Sequence, residues 1–376
     1  MPRLLRASVA RRCAVSYAAM ATVAAGLLSV ATTAQAAHYN LLILPGLPGG
    51  DGSSAAYAVS NARQVAGVAY TAVGDHAFLW SAATGMEDLG ALPDPIEGVS
   101  VGYGINDRRE VVGSSGPDSR AFLWSASTGM RTLGPVQPNG PNALVAWGTN
   151  DRGDVVGEMG NANAMFGEGN HAFLWSETGG VRDLGDLPGG SDHSTAFAIN
   201  ASRQVVGSTS VPNGVHPFLW SVSTGMQDLG TLPDSPQVAI GQANDINNAG
   251  QVVGTVTAGA SEEPHGFIWS ASTGMKDLGV LSDGGYSYAY GINAAGEVVG
   301  QSGGPGTRYA VLWDIQTGIV DLNTVVDHTD FVMTEARAIN DGCVIVGIGY
   351  EPSSSQPRAF VLWPKSLADC PCANPP

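Results

Sequence analysis

Beyond residue 38, apolar residues come in short runs broken by Gly, Asn, Asp or Thr-Gly, and the runs recur in a fixed order of four. Run a ends at Ile-Asn or a variant, which places Asn106, Asn150, Asn200, Asn247, Asn293 and Asn340, with Ser60 in the first copy. Run b is valine-rich and closes on Gly67, Gly113, Gly157, Gly207, Gly254, Gly300 and Gly347. Run c reads His-Ala-Phe-Leu-Trp or a variant, ending at Trp80, Trp124, Trp175, Trp220, Trp269, Trp313 and Trp363. Run d reads Met-x-Asp-Leu-Gly. The tryptophans of the seven copies stand 44 to 51 residues apart, so the chain is a tandem array.

Runs of this length, rich in Val, Ile and aromatic residues and bounded by turn residues, predict strands. Four strands per repeat predict a β-propeller blade, and seven copies predict seven blades. Run a reads with period two. Counting back four from the Asn or Ser gives Ala56, Gly102, Ala146, Ala196, Ala243, Ala289 and Ala336; three back gives Tyr57, Tyr103, Trp147, Phe197, Asn244, Tyr290 and Arg337. A small face beside a mostly aromatic one suits the innermost strand, where neighbouring blades converge. The two ends bear on closure: the seventh copy stops after run c at Trp363, whereas residues 39–50 resemble residues 181–190 and so supply a run d. The expected fold is all-β, a seven-bladed β-propeller of four-stranded blades over residues 38–364. Its N-terminal strand closes the last blade, so no long sheet edge stays unpaired. A short tail, 365–376, follows.

Residues 1–37 read as an export signal: Arg3, Arg6, Arg11 and Arg12, then an apolar run over 14–30, then Ala34-Gln35-Ala36. The Arg11-Arg12 pair leaves the general and twin-arginine routes both open. No later stretch is apolar enough to span a bilayer, so a secreted product is expected, whether extracellular, periplasmic or on the cell surface. Removing the signal takes four arginines and no acid, which carries the net charge from −16 to −20. That charge repels phosphate backbones and argues against nucleic acid as a partner. Charged residues are 13% of the chain and Gly is 51 of 376, a composition of short strands and tight turns rather than of helices. The mature chain keeps Cys343, Cys370 and Cys372, an odd count that predicts one bridge and one spare thiol in an oxidising compartment. Cys343 falls in the a-to-b turn of the last repeat, and the tail leaves on that face. A bridge from Cys343 to Cys370 or Cys372 is therefore expected, with a local Cys370–Cys372 link as its rival.

The recurring Leu-Gly-x-Leu-Pro-Gly-Gly, Ala-x-Ala-Ile-Asn, Val-Val-Gly-x-Ser and His-Ala-Phe segments resemble the bacterial extracellular repeat named for that last triplet, the HAF family, over residues 39–363. The resemblance implies export and repetition, and supplies no catalytic residues. Two copies depart from the triplet, with Arg120-Ala121-Phe122 and Tyr309-Ala310-Val311, so its histidine is not indispensable to the repeat.

Candidate chemistry is sparse. The Asn of Asn293-Ala294-Ala295-Gly296 fits a tight hairpin in which Gly296 takes positive φ, so the Asn positions read as turn formers rather than a ligand-binding ring. His76, His171, His216 and His265 sit on different blades and cannot converge within the roughly 2 Å that a metal ligand needs, so they read as structural. No metal or cofactor is expected. Gly98-Val99-Ser100-Val101-Gly102 and Gly300-Gln301-Ser302-Gly303-Gly304 match the nucleophile-elbow pattern but lack its strand-turn-helix setting, and the chain does not read as an enzyme. The d-to-a and b-to-c connections vary in length, which puts the variable loops on one face, where Asp94, Glu97, the 158–170 insert, Asp192, His193, Glu262 and Glu263 become candidates. Copies that break their own rule mark further ones: Asn244, Asp245 and Arg337 on inner strands, and Trp147, the single tryptophan outside the repeated slot. The expected ligand-binding set is Trp147, Asp192, His193, Asn244, Asp245 and Arg337. A monomeric module that binds a protein or glycan, on the cell envelope or outside the cell, is the function expected. A lactonase-like or lyase-like propeller enzyme, or a structural envelope protein, is the alternative.

Overall fold

The computed structural model describes residues 39–370 except 94–97, 118, 135–143, 161–168, 260–262, 283–284, 315–317, 328, 355 and 367–369. The signal segment, Asp94, Glu97, Glu262, Cys372 and most of the 158–170 insert lie outside the described residues. Among the described residues, twenty-eight strands, numbered in chain order, form antiparallel four-stranded groups in the order of runs a to d. The first strands of the repeats are β2 (Ser54–Val59), β6 (Ser100–Ile105), β10 (Leu144–Thr149), β14 (Ser194–Ile199), β18 (Ala239–Ile246), β22 (Tyr286–Ile292) and β26 (Val332–Ile339). Two neighbouring groups fuse into one eight-stranded sheet, because β16 (Gly214–Ser221) pairs in parallel with the start of β18, Gly214 opposite Ala239 and Val215 opposite Ile240.

The last sheet is assembled from both ends of the chain. Strand β1 (Tyr39–Ile43) pairs antiparallel with β28 (Pro357–Pro364), Leu41 opposite Leu362 and Ile43 opposite Phe360, in the order β1-β28-β27-β26, where β27 is Ile345–Tyr350. Without β1, the backbone donors and acceptors along one side of β28 would face solvent as an open edge.

The hydrophobic cores lie between sheets, not within them, because a sheet buries an apolar face only against a neighbour. Each core joins consecutive repeats: Leu79 and Ala66 of the first pack with Phe122 and Trp124 of the second, and Leu219 and Val206 of the fourth with Phe267 and Val252 of the fifth. The same kind of core joins the last repeat to the first, where Val344, Val346 and Val361 meet Ala56, Phe78 and Trp80.

The glycine that closes each run b is explained by crowding. A Cβ on Gly67 would stand 2.0 Å from the Ala55 carbonyl oxygen and 2.8 Å from the Phe78 ring, and the corresponding carbonyl approaches just as closely at Gly113, Gly157, Gly207, Gly254, Gly300 and Gly347. Any side chain there would force apart strand a, strand b and the buried Phe.

The period-two reading of run a needs correction. In all seven first strands the register slips between the fourth and second residues before the Asn or Ser, as between Ala56 and Ala58 or Ala243 and Asp245. The residue between them, Tyr57, Tyr103, Trp147, Phe197, Asn244, Tyr290 or Arg337, is the extra residue of a β-bulge. It is not one step of a regular alternation, and a bulge re-aims its side chain relative to a flat strand.

At the a-to-b turns the asparagines do more than shape a hairpin. Asn200 Oδ1 accepts from Ser202 N and Gln204 N, both at 3.0 Å, while Nδ2 donates to the Asn247 carbonyl of the next repeat at 3.1 Å. The same donation runs from Asn106 to Asn150, Asn150 to Asn200, Asn247 to Asn293 and Asn293 to Asn340, and Asn340 donates to Ser60 of the first repeat at 2.8 Å. Left-handed backbone follows three residues on, at Gly296 (φ 85°) as expected, but also at Arg63, Arg109, Arg203 and Cys343. Two of these arginines reach back to the preceding repeat, Arg109 to Glu87 at 2.6 Å and Arg203 to the buried Asp154. Cys343 forms a disulfide with Cys370, the Cα atoms 5.8 Å apart and the residues 27 apart in sequence.

Two measurements check this architecture. Deleting residues 39–43 from a chain that begins at residue 38 is expected to lower Tm and expose β28 to proteolysis; an unchanged Tm would contradict the assembly of the last sheet. Reduction of the intact chain is expected to remove about 3 kcal/mol of stability for a loop of this length, seen as a lower denaturant midpoint. Peptide mapping without reductant should recover residues 343 and 370 cross-linked.

Candidate functional site

The bulged residues meet one another. The Tyr57 and Tyr103 ring centroids are 5.7 Å apart, Tyr103 and Trp147 4.4 Å, and Trp147 and Phe197 6.0 Å. On the other side the Arg337 guanidinium lies 4.5 Å from the Tyr290 centroid and 5.9 Å from that of Tyr57. A girdle-like run of aromatic rings from Phe197 to Tyr57 thus continues through one cation to Tyr290, and Asn244 holds the equivalent position on β18. All seven members are partly exposed. Rings held edge-on or offset at these distances attract one another beyond simple burial, and a guanidinium over a phenol adds a cation–π term.

A second tier lies two residues earlier on the same strands. Tyr288 stacks on Tyr290 at 6.1 Å and 13°, and Tyr286 meets Tyr288 edge-on at 5.8 Å. Glu335, nearly buried, forms ion pairs with Arg337 and with Arg308, the latter at 3.0 Å. Gln242 donates to Asn244 Oδ1 at 2.7 Å, and Asn244 Nδ2 donates to the Ala289 carbonyl at 2.7 Å. Burial pushes the phenols of Tyr57 and Tyr290 upward against the opposing pull of Arg337, so both stay protonated donors at neutral pH.

Asp245 plays a different part from the one its sequence position suggests. Its carboxylate accepts from Ile246 N at 2.8 Å and, across the seam to the sixth repeat, from Ile292 N at 2.9 Å. Enclosure of the carboxyl pushes its pKa up to about 6 in spite of those two backbone donors. Both oxygens are engaged in holding two strands together.

The opposite ends of the first strands carry the turns, and residues from the turns of all seven repeats line one cavity of about 180 Å³. The side chains that follow the Asn or Ser stitch this end together: Asn61 N donates to Asp107 at 2.6 Å, Asp107 N to Asp151 at 2.8 Å, Ala201 N to Asn248 at 3.0 Å, Ala294 N to Asp341 at 2.9 Å and Asp341 N to Asn61 at 2.9 Å. The asparagine carboxamides themselves are buried and bonded, so they offer a ligand little.

Each histidine of run c is clipped to the aspartate of run d: His76 to Asp88 at 2.9 Å, His171 to Asp183 at 2.8 Å, His216 to Asp228 at 2.9 Å and His265 to Asp277 at 2.7 Å. The second repeat, which has Arg120, has Thr132 in place of the aspartate, so histidine and partner are lost together. His171 also bonds Asp192 at 2.9 Å, and together with Asp186 these form a group of three metal-capable side chains within 4.8 Å. Both ring nitrogens of His171 already face carboxylates, and His171 stands two strands out from β10, opposite Met159 of β11 (Val155–Met159).

The sequence-derived set therefore divides. Trp147, Asn244 and Arg337 come together in the girdle, and Asp245 is structural beside it. Asp192 is exposed with a left-handed backbone at His171, and the His193 carbonyl accepts from Ser210 N at 2.9 Å, both in the loop before β14. Glu335, Arg308, Tyr286 and Tyr288 belong to the site and were not foreseen. The signal for Glu335 and Tyr288 was a spacing of two residues from the bulge position, and for Tyr286 a spacing of four, legible only once the bulge is known; Arg308, just before β24, carried no such signal.

No family model and no curated protein matches the chain. Among solved structures it is similar to virginiamycin B lyase from Staphylococcus aureus, at TM-score 0.56 and 12% identity over 86% of this chain and 98% of that one. A streptogramin B lyase gives TM-score 0.55 and 10% identity over 86% and 97%. TolB from Acinetobacter baumannii gives 0.45 and 12% over 85% and 66%. The two lyases are β-propellers, and at this identity the likeness is one of fold: the four-stranded antiparallel sheets make this an all-β propeller protein. No helix of the described residues is long and apolar enough to cross a membrane.

The seam aspartate gives a pH signature. With its folded pKa raised from 3.8 to about 6, Asp245 binds a proton more tightly in the folded state. Its contribution to stability is therefore full below the unfolded value and is lost as pH rises through 6. The Tm of the unmodified protein minus that of Asp245→Asn is expected to increase as pH is lowered from 7.5 to 4.5. A flat or opposite trend in melting scans would contradict the assignment.

Proposed function

We propose that the chain is a closed seven-bladed propeller of the extracellular HAF-repeat type, exported behind its signal segment and acting as a monomeric binding module rather than an enzyme. It recognises a protein or glycan at the variable-loop end of its axis. The observation that carries this reading is the girdle of partly exposed aromatic side chains, Tyr57–Tyr103–Trp147–Phe197, with Tyr290 and Arg337 completing the circuit. Closure is supported by the pairing of β1 with β28, by the apolar core shared between last and first repeats, and by the Asn340 to Ser60 hydrogen bond.

The direction of approach follows from topology. In a four-stranded antiparallel blade the b-to-c and d-to-a connections leave on the face opposite the a-to-b turns. The turn end is stitched by side-chain caps and carries the tail pinned by Cys370, which leaves the variable-loop end for a partner. Large rigid aromatics lose little entropy on binding and bury much area, which is why such residues dominate binding hot spots.

The test uses the chain from residue 38 in a glycan array and in an envelope-protein pull-down, each with and without calcium. Against whichever ligand emerges, Trp147→Ala is expected to weaken Kd about 30-fold, a hot-spot loss of about 2 kcal/mol, with little change in Tm. Unaltered affinity in both Trp147→Ala and Tyr103→Ala would remove the axial reading.

A further inference from the structure

We propose that the tyrosine ladder of β22 is the subsite for a neutral glycan, a short oligosaccharide without carboxylate, sulfate or phosphate. This rests on the axial-binding reading above and narrows it to one strand and one ligand class.

Three observations converge. Tyr286, Tyr288 and Tyr290 share one side of β22, with centroid separations of 5.8 and 6.1 Å, and so offer successive aromatic faces along a line from the loop end toward the girdle. Sugar rings stack on such faces through their C–H groups, as apolar ligand surfaces do on aromatic side chains generally. At the loop end of the ladder lies a pocket of about 470 Å³ lined by Glu263, Tyr286, Arg308 and the Gly304-Pro305-Gly306-Thr307 loop. That volume suits one or two sugar units and falls within the range of about 300 to 1,000 Å³ usual for small-ligand sites. The Tyr286 hydroxyl donates to the Thr307 carbonyl at 3.0 Å, which holds the first ring of the ladder against the loop.

Charge selects the class. Arg308 and Arg337 both pair with Glu335, and Glu263 stands at the rim, so among the described residues the fixed charges of the subsite cancel. The Arg308 side chain nevertheless remains 56% exposed. Its guanidinium has five N–H donors, of which the Glu335 contact uses a fraction. The described residues of the site thus present donors, acceptors and aromatic faces with no net charge to reward an acidic or a basic ligand. An acidic glycan would also meet the repulsion of a strongly negative chain. A peptide anchor is disfavoured because, among the described residues, the pocket lining offers Pro305 alone as an apolar aliphatic side chain, where a peptide side chain needs a desolvated apolar socket.

The experiment puts the chain from residue 38 on an array of neutral, sialylated, uronic-acid and sulfated oligosaccharides together with a peptide library. The best neutral binder is then titrated calorimetrically. Tyr288→Ala is expected to weaken its Kd about tenfold, Tyr288→Phe to keep it, since the stacking face survives, and Arg308→Gln, a surface change that spares the fold, to weaken it several-fold. Tm of each variant is measured alongside. Neutral-glycan binding that responds to Trp147→Ala but not to Tyr288→Ala or Arg308→Gln would overturn the ladder and leave the axial reading standing. Binding confined to acidic glycans or peptides, and sensitive to Trp147→Ala, would overturn the ligand class alone. No binding by any member of the panel would overturn the glycan subsite, while the envelope-protein pull-down with Trp147→Ala still decides the axial reading.

Discussion

Six of the seven repeats of this protein reach into a neighbour with a carboxamide on which the packing of the sheets depends. A four-stranded sheet with both faces apolar has no stable existence alone, so each must be held at the right tilt against the next before the interleaved cores can form. The asparagine at the end of run a does this with its two ends: Oδ1 fixes its own turn, and Nδ2 donates to the following turn's carbonyl, as Asn247 does to Asn293 at 3.0 Å. Such a bond in a buried setting is worth on the order of 1 kcal/mol net, but leaving either partner unmade costs more. That asymmetry explains why the residue recurs where neighbouring turns meet. Ser60 cannot donate in this way, and there the backbone of Asn61 takes over by donating to Asp107.

Pinning the turns frees the middle of the first strand. The bulge takes one residue per repeat out of the hydrogen-bonding ladder, so its side chain is not committed to filling the space between sheets, which Phe78, Phe122 and their equivalents already occupy. The run-b glycine is part of the same device, since the carbonyl that the bulged strand turns toward it leaves no room for a Cβ. Turn, bulge, glycine and buried Phe are therefore one unit, and substitution at any of them disturbs the other three.

Much of this was legible in the sequence. The strand order a to d, the N-terminal strand that pairs with the last strand, and a link from Cys343 to the tail all follow from the spacing of Asn, Gly, Trp and Cys. The bulge was not, because small and aromatic residues in alternation look the same whether or not one of them is extra; register is a property of the pair of strands, and one strand carries no record of it. Asp245 misled for a related reason. A charge in an innermost strand invites a ligand, but its acceptors are met by backbone N–H groups of a neighbouring repeat that no local window includes. The aspartate partners of the run-c histidines, twelve residues on, needed the pairing of strands c and d to be seen.

The differences among the repeats are as informative as their likeness. Positions that face two neighbours, the run-b glycine and the turn residue, hardly vary through the array, because a change must satisfy both sides at once. The bulged position faces the shared interior instead, and there the chain places Tyr, Tyr, Trp, Phe, Asn, Tyr and Arg. If those side chains served packing alone, the repetition would reward one residue throughout, as it does for the buried Phe in six of the seven copies. An unequal set gives the girdle a direction: three aromatic contacts on one arc, a carboxamide gap at Asn244, and a cation at Arg337 tied to Glu335 and stacked between two phenols. A symmetric scaffold that carries an asymmetric lining is what recognition of an asymmetric ligand requires, and the Arg337 side of the lining is where the tyrosine ladder joins it.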